Sequence, residues 1–542
     1  MIQNIEKHKK NIVEIIVLSG LFILLAIISY YQVEQSISLL KYLFVYGIRS
    51  LLDNYSLYQY SFQDFLFRTS AFHTGDSESG WRTLFYLWPL FIFCNFLGGL
   101  SLKATHLFTI TSSLAFVCLF YFWIRKVWGK QVALYASFFL AFSSVFQEIA
   151  RSGSYDVYSL LIGMIWIIFF FYCSESGRIR SYFLLGLLTG LTWYGYGILR
   201  YLTVVVIARI MFLKGFRKVV MLGVLLAGMM IVLVPGILIK FELKPINLAA
   251  YDKPGHELFF DQNASFKNDR LFKVISSNFG ILGKRILGGE EVHDRPMKGV
   301  HASFWNSFLA IPLLIGIWTV LRSQQQLSNR LLLLLAIIIY LAPCFLCNHG
   351  IKSRRVLLYI IPSYCFIGLG VKEIIGWVNK IVHIILKRAV VILLVAVLFI
   401  VLFQEMAFFS TVILSSQRDV GGFLAFADKI KQSDLSGDMY YLDGPSTLQY
   451  GHESDAMRLV LMGKRHNALN FERGTLRTRV PFMFNNFYLS KSPKISEQEF
   501  DDWCARNRLK TTLVLEAPVV NSARRSRKSE YFRLYTIQRM DK

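Results

Sequence analysis

Four polar groups stand at the edges of long apolar runs, and their residue types define the chemistry open to this chain. The first is Glu34, in the pair Val33-Glu34 just after the first apolar run. The second is the segment from Arg151 to Asp156, Arg-Ser-Gly-Ser-Tyr-Asp. The third is Arg200, in Trp193-Tyr-Gly-Tyr-Gly-Ile-Leu-Arg-Tyr201, with Tyr194 and Tyr196 beside it. The fourth is Asn348-His-Gly-Ile-Lys-Ser-Arg-Arg355, which carries Lys352, Arg354 and Arg355. Guanidinium forks match phosphate oxygens in a bidentate way, so the third and fourth groups suit a phosphate. A carboxylate beside a membrane can take a proton from an acceptor hydroxyl, which gives Glu34 the role of general base. Asp53, Asp64 and Asp76 lie in the same polar stretch and could carry that role instead. Each group also has a plainer reading. The basic cluster could face anionic lipid heads, Asp156 could cap a helix, Arg200 could snorkel, and Glu34 could be a solvated flank. His73, His293 and His301 lack ligand spacing; Asp76-Ser-Glu78 could hold a cation, but two carboxylates alone are weak support, so no cofactor is assigned and a divalent metal is left open without support. Asn263-Ala-Ser265 is a glycosylation sequon with meaning only in a secretory pathway.

The elements that must hold these groups are membrane spans. Of 542 residues, 54% are hydrophobic and 15% aromatic, and the mean hydropathy is +0.45. A soluble globular domain does not need so many apolar residues. The formal net charge of +24 sits largely in short loops between apolar runs, where the bias of basic loops toward the cytoplasm explains it without nucleic acid. Most of the seven cysteines lie in or near apolar segments, which argues against a disulfide framework. Cys344 and Cys347 read as neighbours on one helix face.

Tyr182 to Phe212 organises the topology. It is almost wholly apolar, with Arg178 and Arg180 before it and Lys214, Arg217 and Lys218 after it. As one helix it would be roughly 45 Å long, against a hydrocarbon core of about 30 Å. Two crossings that turn near Trp193–Tyr201 put both basic clusters inside and Arg200 at the outer edge. The other spans follow by alternation: Ile12–Tyr30 outward, His106–Ile124 inward, Val132–Gln147 outward, Val157–Cys173 inward, then the hairpin. Val219–Ile239 goes outward, Phe304–Val320 inward, Leu331–Cys347 outward, Val356–Val378 inward and Val390–Ile413 outward. About eleven spans result. Residues 32–83 read as helices on the outer surface, and Leu84–Leu97, too short to cross, as a surface or re-entrant helix. The segment 241–303 stays outside.

The polar tail has a different pattern. Met439–Leu442, Thr511–Glu516 and Tyr531–Thr536 read as strands, and Gly421–Lys431 and Glu497–Asn507 as helices. The expected architecture is therefore a polytopic α-helical membrane domain over residues 1–414, with outer loops 32–104 and 241–303. A C-terminal extracytoplasmic α/β domain follows over residues 415–542.

Three stretches resemble one family. RKVWGKQVALYASFFLAFSSVFQEIARSGSYDVYSLL is similar to a cytoplasmic loop, an Ala-rich span and an Arg-containing outer turn, with an Asp starting the next span. GLLTGLTWYGYGILRYL is similar to a Gly-Leu-rich span ending in aromatics and Arg. APCFLCNHGIKSRRVLLYIIPSYCFIGLGV is similar to a late Arg-Arg/Tyr-Ile-Pro segment. Together they resemble the GT-C glycosyltransferases, within them the dolichyl-phosphate-mannose protein mannosyltransferase/aminoarabinose transferase-like group, over residues 10–410. That group's acidic base, usually Asp and often Asp-Glu, follows the first span; here the position reads Val33-Glu34.

The resemblance implies a GT-C fold in a multi-pass protein of a cell membrane, such as a bacterial inner membrane, with a cytoplasmic N-terminus. It implies transfer of a sugar from polyprenyl phosphate to a glycan, lipid or protein acceptor on the outer face, with inversion. Glu34, with Asp53 and Asp76 behind it, would activate the acceptor. Lys352, Arg354, Arg355 and Arg200 would hold the donor phosphate, supported by Arg151, Asp156, Tyr194 and Tyr196. The competing classes are a transporter or flippase of lipid-linked glycans, an assembly subunit, and a polymerase or ligase of lipid-linked glycans.

Overall fold

The structure is a computed structural model. It describes residues 20, 88–97, 102–151, 155–193, 197–243, 275–280, 282, 306–346, 357–408, 439–443, 466–470, 486–491, 505, 509–518 and 531–539. The first span and the outer helices expected over 32–83 lie outside the described residues, apart from the helical Gly20.

Twelve helices are named here in chain order: α1 (Trp88–Phe96), α2 (Leu102–Trp128), α3 (Lys130–Phe142), α4 (Ser144–Arg151), α5 (Tyr155–Ser176), α6 (Ile179–Thr192), α7 (Tyr201–Met211), α8 (Arg217–Leu243), α9 (Ala310–Arg322), α10 (Leu327–Leu346), α11 (Ile360–Asn379) and α12 (Ile384–Phe408). Among the described residues, six helices are long and apolar enough to cross a membrane, and α3, α6, α7 and α9 are shorter apolar helices. These ten coincide in order with the ten spans expected after the first. The chain is a polytopic membrane protein. The helix α1 has nine residues, about 13 Å of rise, in keeping with a helix that does not cross. Its Phe93 ring lies 5.4 Å from Phe108 of α2.

Small residues set the closest approaches between helices, as expected where lipid removes the hydrophobic drive for association. Gly190 of α6 lies against α8, so a Cβ there would sit 2.8 Å from the Met229 carbonyl and 2.9 Å from Val232. Gly186, one turn earlier, faces Leu225 and Gly228 in the same way. The two contacts advance together along both helices, so α6 and α8 run parallel, as two outward spans must. Gly316 of α9 and Gly370 of α11 face the backbones of Phe366 and Pro312, and Gly368 faces Val132 and Ala136 of α3. The helix α11 is thus gripped on several sides, and Ile360 to Gly370 are all buried.

Side-chain contacts sort the helix termini into two ends. At one end Trp128 closes α2 and donates its indole N–H to Asn329 at the start of α10 at 2.8 Å. Trp123 packs edge-on to Phe171 near the end of α5 at 5.0 Å, and Arg217, opening α8, donates to the Gly177 carbonyl at 2.7 Å. The basic residues flanking these contacts, Arg125, Lys126, Arg178, Arg180, Lys218 and Arg330, therefore collect at one end. At the opposite end Phe108 and Tyr158 bring the starts of α2 and α5 within 5.4 Å. The polar segment 241–303 contributes a helical piece at 275–280 whose Asn278 donates to the Cys344 carbonyl at 3.0 Å, near the end of α10. The Cys344 thiol donates along its own helix to the Tyr340 carbonyl at 3.7 Å, while Cys347 lies outside the described residues.

The chain divides into two compact units, one holding Ala104–Phe409 and the other Ser410–Lys542. The second carries a five-stranded sheet: β1 (Met439–Asp443), β2 (His466–Asn470), β3 (Asn486–Lys491), β4 (Leu509–Pro518) and β5 (Tyr531–Arg539), in the order β2-β1-β3-β5-β4. The strand β1 pairs in parallel with β2 and β3, and β5 pairs antiparallel with β3 and β4. The three expected strands are β1, β4 and β5; β2 and β3 were not foreseen. Of the two helices expected in the tail, Ala505 alone is described, and it is helical.

Candidate active site

The third polar group is the one whose side chain is described. The helix α6 ends at Trp193, and a 3-10 turn, Gly197–Arg200, leads into α7. Trp193 donates its indole N–H to Thr203 of α7 at 2.9 Å, which fixes the ring across the turn. The Arg200 guanidinium carbon lies 5.6 Å from the centre of that ring. A cation over an indole face is held there without using its hydrogen-bond donors. Arg200 Nε is buried and has no hydrogen-bond partner among the described residues. A buried donor without an acceptor is costly, and an anionic oxygen is the acceptor that matches it best. Arg200 is half-buried, so the rest of its fork is not sealed in protein.

The turn that carries Arg200 is keyed to two other elements. Gly163 of α5 packs closely: a Cβ there would lie 3.2 Å from the Leu199 side chain and 3.1 Å from that of Leu358. Leu199 precedes Arg200, Leu358 follows Arg355 by three residues, and Gly163 lies two turns into the helix that starts at Tyr155-Asp156. Leu199 and Leu358 thus meet over one glycine of α5. A second clamp holds the start of α11. Tyr340 and Ser363 share a short hydroxyl contact, Ser363 donates to the Tyr359 carbonyl at 2.5 Å, and Tyr359 donates to the Tyr340 carbonyl at 2.7 Å.

Arg151 ends α4 and Asp156 is the second residue of α5, and these are backbone placements alone. Glu34, Asp53, Asp64, Asp76, Tyr194, Tyr196, Lys352, Arg354 and Arg355 lie outside the described residues.

Sequence reasoning missed Glu405. It sits on α12, whose exposed residues are mostly Ile, Leu, Val and Phe, and it accepts the Ser144 backbone N–H at 2.7 Å. A lone carboxylate inside an apolar run is a signal that could have marked it. Around it, Asn306 donates to Gln404 at 2.9 Å and Gln147 to the Ala141 carbonyl at 2.6 Å.

No family model and no curated protein sequence matches the chain. The fold does match solved structures. ArnT from Cupriavidus metallidurans bound to undecaprenyl phosphate superposes with a TM-score of 0.51 at 13% identity, covering 83% of this chain and 87% of that one. Its apo form gives 0.50 with the same identity and coverage. The Archaeoglobus fulgidus oligosaccharyltransferase AglB, in complex with an inhibitory peptide and a dolichol-phosphate, gives 0.43 at 13% identity over 69% of this chain. The chain spans 55% of that archaeal protein. The chain thus shares the fold of these ArnT structures.

Proposed function

We propose that this chain is a membrane glycosyltransferase that moves a sugar from a polyprenyl-phosphate donor to an acceptor at the outer face. The observation that carries the reading is Arg200: a guanidinium over the Trp193 ring, with a buried donor that has no acceptor among the described residues. It sits in a fold shared with a protein solved with undecaprenyl phosphate. In this reading the lipid lies along the apolar bundle and its phosphate meets Arg200, Lys352, Arg354 and Arg355. Negative charge grows on that phosphate as the sugar leaves, and fixed cations stabilise it. Glu34 removes the proton of the acceptor hydroxyl, with Asp53, Asp64 and Asp76 as the alternative bases. Direct displacement inverts the anomeric carbon. Arg151, Asp156, Tyr194 and Tyr196 shape the surrounding wall. The N-terminus is cytoplasmic, and residues 415–542 form the extracytoplasmic domain.

The test is transfer from a set of polyprenyl-phosphate sugars in membranes holding the full chain. Glu34→Gln keeps size and hydrogen bonding but removes basicity, so transfer should fall by about 10²- to 10⁴-fold. The same measurement on Asp53→Asn, Asp64→Asn and Asp76→Asn locates the base. If one Asp change abolishes transfer while Glu34→Gln stays active, the base lies elsewhere in the first outer stretch. If all four stay active, or the wild type moves lipid-linked sugar across the bilayer without transferring it, the transferase reading gives way to the transporter reading.

A further inference from the structure

The third span is broken, and the break is served from the far end of the chain. The helix α3 stops at Phe142, Ser143 turns extended with φ −63° and ψ 124°, and α4 starts at Ser144. A break in a spanning helix strands backbone groups that lipid cannot satisfy, so side chains must. Gln147 reaches back to the Ala141 carbonyl at 2.6 Å. The Ser143 hydroxyl accepts the Phe146 N–H at 3.4 Å and is hydrogen-bonded to Tyr364 of α11. Glu405 accepts the Ser144 N–H at 2.7 Å and is also hydrogen-bonded to the Ser144 and Asn306 side chains.

We infer that Glu405 is a positioning residue: by capping α4 through Ser144, it holds the short helix that ends at Arg151, ahead of Asp156 in the first turn of α5. A carboxylate at a helix N-terminus is favoured by the positive end of the helix dipole as well as by the hydrogen bond. The helix α4 has only eight residues. A helix that short is marginal by itself and depends on what anchors its ends. The geometry stands without any assigned reaction. Its consequence for catalysis rests on the lipid-linked transfer reading.

Two substitutions separate a cap from a mere charge. Glu405→Leu fits the lipid-rich surroundings and removes the acceptor, whereas Glu405→Gln keeps an acceptor oxygen and removes the charge. Ser144→Pro deletes the donated N–H from the other side. Proline is tolerated at a first helical position, and the ψ of Ser143 is the one that a residue before proline prefers. The probe is Ala150→Cys, a fully buried position on α4, whose reaction with a small maleimide in the purified full chain reports opening of that helix. Reaction should quicken roughly tenfold or more with Glu405→Leu and with Ser144→Pro, and less than about fivefold with Glu405→Gln. In an active enzyme, kcat/KM should fall in the first two and recover in the third. Unchanged thiol rates in both Glu405→Leu and Ser144→Pro overturn the cap, and a Gln variant as reactive as Leu overturns the acceptor role. Opening without loss of transfer overturns the positioning role. A wild type with no transfer fails the glycosyl-transfer reading alone, and the thiol rates still decide α4.

Discussion

Arg200 carries two loads that can be pulled apart by substitution. Its Nε has no acceptor among the described residues, and its guanidinium carbon lies over the Trp193 ring. Lysine would keep the charge but lose the planar fork and the stacking surface. In the proposed reaction, Arg200→Ala should lower transfer by about 10²-fold or more, as expected for a donor aimed at developing charge. Arg200→Lys should fall between alanine and wild type. Trp193→Leu leaves the guanidinium in place but unsupported; the stacking is worth about 1 kcal/mol, roughly a fivefold effect. Parallel kinetics on the three variants check the order. Equal activity of Arg200→Ala and wild type would return Arg200 to a snorkelling surface residue. This side chain was legible as a candidate because arginine amid aromatics interrupts an apolar run. Its brace was not, because the partner of Trp193 is a threonine on the next helix and nothing in the local pattern marks Thr203.

The glycines decide the element scale. Gly190 holds α6 within backbone distance of α8, whereas Gly223 on α8 has nothing within 4 Å of its Cβ position. Gly190→Leu must push the pair apart or unfold it, and overpacking of this kind costs about 1–3 kcal/mol or more. Gly223→Ala meets no clash and gains helix propensity worth up to about 1 kcal/mol. Thermal denaturation of the two purified variants should move the melting temperature down for Gly190→Leu, and hold it or raise it for Gly223→Ala. Spans were readable from the sequence because run length and flanking charge are local properties. The break at Ser143 was not, since Val132–Gln147 is one largely apolar run and two of the groups that serve the break, Tyr364 and Glu405, come from α11 and α12, more than two hundred residues on. In the tail, β1, β4 and β5 alternate visibly. The strand β2, His466–Asn470, is a polar edge strand, and polarity is how exposed sheet edges avoid sticking. The strand β3, Asn486–Lys491, is central but short, and a short apolar run fits either period.

At the scale of the whole molecule, orientation is a single choice imposed on a fixed bundle. Trp128 meets Asn329, Trp123 meets Phe171, and Arg217 meets Gly177. The loops beside Lys126, Arg178, Lys214 and Gln325 must therefore lie on one side together, whichever side it is. In the proposed orientation that basic end faces the cytoplasm, as basic loops favour. Lys126, Arg178, Lys214 and Gln325 are all exposed, so each can be replaced by cysteine without entering the core. None of the four should react with an impermeant maleimide applied from outside, and all should react once the membrane is opened. The pattern of failure is informative. If all four label from outside, the bundle stands and only its orientation is reversed, which would place the Arg200 turn inside and remove the outer-face reaction. If position 126 alone labels from outside, then α1 crosses the membrane after all, and the contact of Trp128 with Asn329 cannot coexist with that result. A split between 178 and 214 would break the hairpin of α6 and α7, and with it the reason for placing Arg200 opposite the basic loops.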